Sequence, residues 1–64
     1  MTNYQQAKRA LKTTADMAKS QFKSDKPMIR QIINDSCDDL KRNHYNLTEH
    51  KQSLLDDYAC TLHP

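Results

Sequence analysis

The sequence predicts an all-α protein, a small three-helix bundle, from three observations. It contains no glycine, its apolar residues recur at helical spacing, and β-branched residues are scarce: three Ile, five Thr and no Val. Tight two-residue hairpins favour glycine, so its absence argues against strands joined by short turns. Helices linked through Ser, Asp and Asn fit best.

The first helix is expected over about 4–23. Tyr4, Ala7, Leu11, Ala15, Ala18 and Phe22 mark one face, and Thr2 or Asn3 can cap the first amides. Much of that face is alanine, which lets a neighbouring helix approach closely. Its other side carries Lys8, Arg9, Lys12, Lys19 and Lys23 with Asp16 as the only acid. Lys19 and Lys23 suit the negative end of the helix.

The second helix is expected over about 27–44. Pro27 is tolerated in a first turn and disfavours helical geometry at Lys26, while Ser24 or Asp25 supplies a cap. Segment 28–40, MIRQIINDSCDDL, aligns Ile29, Ile32, Ile33, Cys37 and Leu40 on one side. It holds every isoleucine of the chain and must bury that stripe, in the chain's own core or in a dimer seam.

A third helix is expected over about 49–61, burying Leu54, Leu55, Tyr58 and Leu62. Segment 43–49 looks like a break, because Asn tolerates left-handed backbone and Thr48-Glu49 resembles a helix start; Asn46 with Glu49 also has capping-box spacing. The competing arrangement is a helical hairpin. Ile33, Leu40, Leu47, Leu54, Tyr58 and Leu62 can be threaded along one long second helix.

Sixty-four residues make one domain, residues 1–64, with a limited core. Large apolar side chains number 16 of the 64, and net stability is expected on the order of 3–10 kcal/mol. Truncating Ile32 to alanine is expected to cost about 2–5 kcal/mol. A second copy of the chain would supply further core, which makes a homodimer a natural option. A net charge of +2 with clear periodicity argues against disorder. No apolar run reaches the length of a membrane span, and no secretory leader is visible. The expected location is therefore the cytoplasm, with Cys37 and Cys60 as free thiols and the Asn46-Leu47-Thr48 sequon a chance match.

Without glycine, a phosphate-binding loop, a dinucleotide fingerprint and a nucleophile elbow are excluded in their usual forms. Asp38-Asp39 and Asp56-Asp57 could suggest paired acids, yet neighbours on a helix point about 100° apart and a small bundle has little room for a cleft. They are expected to be surface acids. Cys37, His44, His50, Cys60 and His63 include zinc-ligand types, but their spacings lack the short pairs of structural zinc sites. A buried thiol at Cys37 and exposed histidines are expected, with no metal and no cofactor. The chain is expected not to be an enzyme.

Charge is divided along the chain. Residues 1–30 hold seven basic and two acidic side chains, a net of +5; residues 31–64 hold three basic and six acidic, a net of −3. The basic side of the first helix could follow a phosphate backbone, or be a solvated lysine face steered toward the acidic half of the same chain or of a second copy. It lacks aromatic and arginine-rich base readers, which favours the solvated face. A helix-turn-helix built from the last two helices would present Glu49, Asp56 and Asp57, the wrong sign for a DNA groove. Tyr4 and Tyr58 are expected to cap the ends of the core, and Tyr45 could form an exposed contact.

The glycine-free helical body, the opening Met1-Thr2-Asn3-Tyr4-Gln5-Gln6 and the tail Asp56-Asp57-Tyr58-Ala59-Cys60 resemble the small helical proteins encoded in the early region of lambdoid bacteriophages. The resemblance covers the full length and carries no diagnostic motif, so no functional residue is transferred by it. It implies a non-enzymatic regulator made early in infection, acting in the host bacterial cytoplasm. Such a protein influences the lysis–lysogeny balance or host physiology through contacts with host or phage proteins.

Overall fold

The computed structural model of the chain describes residues 2–64, with the side chains of Asn43 and His44 outside the described set. It has three helices: α1 (Asn3–Gln21), α2 (Lys26–Asp39) and α3 (Glu49–Leu62). A single π-helical turn, Leu40–His44, extends α2. No strand occurs among the described residues. No described helix is long and apolar enough to cross a membrane.

Each helix packs on the other two. Tyr4 near the start of α1 lies beside Lys51 near the start of α3, and Lys8 lies beside Tyr58 further along both. α1 and α3 therefore run in the same direction, with α2 returning between them. Alanine is what permits the close approach. Ala7, Ala15 and Ala18 of α1 and Ala59 of α3 are all buried, around the fully buried Leu11, Ile29, Ile33 and Leu55. Each of these four large side chains contributes about 1.5–3 kcal/mol by leaving water.

The caps follow the chemistry of the termini. Thr2 closes α1 with a capping box: its hydroxyl accepts from the Gln5 amide at 3.1 Å, and the Gln5 side chain accepts from the Thr2 amide at 3.2 Å. Asp25, rather than Ser24, caps α2 by accepting from the Met28 amide at 3.3 Å. Replacing Asp25 with alanine is expected to cost about 0.5–2 kcal/mol in urea denaturation; an unchanged midpoint would show that the cap contributes nothing.

The long-second-helix arrangement is not the one adopted. Asn46 takes a left-handed backbone (φ 49°) and Thr48 an extended one (φ −66°, ψ 162°), so the helical path is broken twice. Thr48 caps α3 by accepting from the Lys51 amide at 3.3 Å, and Asn46 makes the turn instead of a capping box. Leu47 is buried from within this connection, whose carbonyl accepts from Gln52 Nε2 at 2.9 Å.

Three burial expectations are corrected. Ile32 is half-buried on the edge of α2, whereas Ile29 and Ile33 are fully buried within one chain. The isoleucine stripe is thus spent on the chain's own core. Leu54 is half-buried and does not join that core, because it sits on the outer flank of α3, one turn before Tyr58. Tyr45 is half-buried against the core instead of standing out as a contact, and its carbonyl accepts from Asn3 Nδ2 at 3.1 Å. Phe22 and Tyr58 pack against the core from partly buried positions, while Leu11, Leu40, Leu55 and Leu62 are buried as expected.

Candidate functional site

Two open clefts flank α3, and they carry opposite charge. The first, about 420 Å³, lies between α1 and α3 and is lined by Gln5, Lys8, Arg9, Lys12 and Tyr58. Helical periodicity puts Lys8 and Lys12 one turn apart on the flank of α1 nearest α3. The ammonium groups of Lys8 and of Lys51 on α3 lie over aromatic rings. Lys8 Nζ lies 4.8 Å from the Tyr58 ring centre and 5.9 Å from that of Tyr4, and Lys51 Nζ lies 5.1 Å from Tyr4. These distances are within range of a cation–π attraction.

None of the cleft's lining residues is a carboxylate. Lys12 meets Asp16 at 3.5 Å through an exposed pair, which is worth little in water. Lys8 and Lys51 meet no carboxylate among the described residues. Lys19, in the last turn of α1, and Lys23, just beyond it, continue the basic side past the cleft. Of the five basic residues expected on this face, the structure brings Lys8, Arg9 and Lys12 together in the cleft. Tyr58 joins them in the lining, and Tyr4 and Lys51 adjoin through their ring contacts. The two tyrosines flank Lys8 while also packing against the core. Only the i, i+3, i+7 recurrence of Lys51, Leu54 and Tyr58 on one flank of α3 hints at this in the sequence.

The second cleft, about 460 Å³, lies between α2 and α3 and is lined by Asn34, Asp35, Cys37, Asp38, Lys41, Asp56, Ala59 and Cys60. Asp56 is its centre. Its Oδ1 accepts from the Cys37 thiol at 3.4 Å and lies 2.9 Å from Lys41 Nζ, which also reaches Oδ2 at 3.1 Å. Lys41 lies 3.9 Å from Asp38, which also pairs with Arg42 at 3.4 Å. Burial, aided by the neighbouring Asp56 carboxylate, pushes the Cys37 thiol up to about 12. The Asp56 hydrogen bond also raises Lys41. A thiol so held stays protonated at neutral pH and is a poor nucleophile. The arrangement works as a latch: Lys41, one residue into the π-helical turn, is pinned to α3.

The remaining candidates disperse. Cys37 is buried and Cys60 exposed, both as free thiols. His63 Nε2 lies 2.9 Å from Asn34 Oδ1 and is half-buried, which differs from the exposed position expected of it, while His50 is exposed. The His44 side chain lies outside the described residues. Among the described residues no cluster of three or more His, Cys, Asp or Glu is placed to hold a metal. Asp56 and Asp57 are both exposed, but only Asp56 lines the second cleft, so the adjacent acids diverge as helical geometry requires. Compared with known proteins, the chain matches no family model, no curated sequence and no solved structure at a significant level.

Proposed function

We propose that this chain is a non-enzymatic regulatory protein that works by protein–protein contact, with the α1/α3 cleft as its contact surface. The observation that carries the reading is the cleft itself: Lys8, Arg9 and Lys12 converge beside Tyr58 with no carboxylate in the lining. Positive charge gathered beside an aromatic ring, with no carboxylate in the lining, favours an acidic protein surface. Tyrosine and arginine are the residue types that anchor such contacts. The resemblance to lambdoid early-region proteins gives this a setting in the host bacterial cytoplasm. There the partner is a host or phage protein, and the outcome is a shift in lysis–lysogeny development or host physiology.

The test is site-directed photocrosslinking in bacterial lysate. A crosslinking residue at Gln5, inside the cleft, is expected to capture a defined protein. Lys8→Glu/Lys12→Glu in the same chain is expected to abolish that adduct, and a crosslinker at Asp35 to capture nothing comparable. Equal capture from both positions, or none from Gln5, would overturn the proposal.

A second reading, nucleic-acid binding, is favoured by Lys8, Lys12, Lys19 and Lys23 following one side of α1. It requires an affinity that falls steeply with salt and weakens when these lysines become glutamine. Weighing against it, the rings of Tyr4 and Tyr58 already carry ammonium groups. Stacking platforms for single-stranded bases need free ring faces.

A further inference from the structure

We infer that the partner presents an acidic amphipathic helix, which lies along the α1/α3 groove as a fourth helix of the bundle. This rests on the protein-contact reading above and adds the chemistry of the occupant. Two helices running in the same direction form a straight groove between them, and a third helix laid in it repeats the packing of a four-helix bundle. The groove offers one large apolar surface, the half-buried ring of Tyr58 in its lining.

The rim sets the sign of the occupant. Lys8 and Lys12 stand one helical turn apart, about 6 Å along the axis. Carboxylates at i and i+4 of a docked helix have the same spacing. Lys51 faces them from α3, and neither Lys8 nor Lys51 meets an acid in its own chain among the described residues. From Lys8 to Lys19 the basic side of α1 covers about 16 Å, which an occupant helix of roughly 15 residues spans.

The chain's own acidic helix does not fit the role in a closed assembly. Asp35 and Asp38 of α2 line the α2/α3 cleft, where Asp38 is already met by Lys41 and Arg42. Self-docking would set that cleft of one copy against the α1/α3 groove of the next, a head-to-tail contact that closes only as a ring and otherwise runs on as an open chain. A foreign helix ends the assembly at one complex.

The experiment uses the full chain and a labelled 15-residue peptide with Glu at i, i+4 on one face and Leu on the other. Fluorescence anisotropy is expected to show binding, and circular dichroism a gain in helicity beyond the sum of the parts. Lys8→Glu/Lys12→Glu is expected to weaken binding at least about tenfold. A peptide with Lys in place of Glu should then bind that variant and not the wild type. Such a charge-swap rescue is not produced by loss of folding. Equal binding of a scrambled peptide of the same composition would overturn the proposal. So would tighter binding of a 15-nucleotide single strand, or polymerisation of the protein alone in sedimentation velocity. If the Gln5 crosslinker still captures a protein while the peptide fails, the helical occupant falls and the contact surface stands.

Discussion

Truncating Ile33 to alanine is expected to remove about 2–5 kcal/mol of stability, a large part of what a chain of this length possesses. Ile33 is fully buried in the middle of α2, among Leu11, Ile29 and Leu55, the other large side chains wholly withdrawn from water. The surrounding buried residues of α1 are largely alanine, which cannot swing into a void, so the space left by the lost methylenes persists. That cavity cost adds to the lost transfer energy. In a domain this small the loss corresponds to a fall in Tm of at least about 10 °C. Ile32→Ala is the internal comparison. It deletes the same atoms from a half-buried site and is expected to cost less than half as much. Thermal and urea denaturation of the two variants check the ordering; equal losses would mean that the core is not organised around the inner face of α2.

That ordering was open in the sequence, and the reason is physical. Periodicity identifies a helix and its apolar side, but Ile29, Ile32 and Ile33 all satisfy the same spacing. Which of them lies at the edge depends on how α2 is rotated against α1 and α3. The face of α1 was readable because its alanines leave only one side that can pack closely, and Ala7, Leu11, Ala15 and Ala18 are indeed the buried residues. The breaks were readable from local chemistry: Pro27 and Asp25 at one, Asn46 and Thr48 at the other. The π-helical turn at Leu40–His44 was not, since its sequence carries no local cue and Lys41 is tied down by an aspartate 15 residues away. Neither was the composition of the basic cleft. Lys8, Arg9 and Lys12 share one flank of α1 by spacing alone, whereas Tyr58 and Lys51 arrive through the parallel placement of α3. One strand of the chain declares its charge; only tertiary structure declares what stands beside it.

The latch between α2 and α3 makes the fold sensitive to alkali through Cys37. Its thiol, ordinarily near 9.0, is raised to about 12 in the folded protein, first by burial and then by the Asp56 carboxylate. Below pH 9 the thiol is protonated whether the chain is folded or not, and its contribution is constant. Above pH 9 the unfolded chain releases the proton and the folded chain keeps it. The unfolded state then binds fewer protons, so stability falls with rising pH. The slope is about 1.4 kcal/mol per pH unit. Across the interval from 9 to about 12 the loss approaches about 4 kcal/mol, comparable to the total stability of so short a chain. Lys41 acts in the same direction. Its folded value is raised, chiefly by the Asp56 hydrogen bond, so its contribution is complete below its ordinary 10.5 and is lost as pH rises through the folded value. Urea denaturation is expected to show a flat profile up to pH 9 and a fall of about 2 kcal/mol by pH 10.5. In Cys37→Ala that fall is expected to shrink to a small residue. A thiol reagent at pH 8 should label the exposed Cys60 quickly and Cys37 only as fast as the bundle opens. A wild-type profile no steeper than that of Cys37→Ala, or equal labelling rates, would show that the Cys37 thiol is not held between the two helices as the geometry requires.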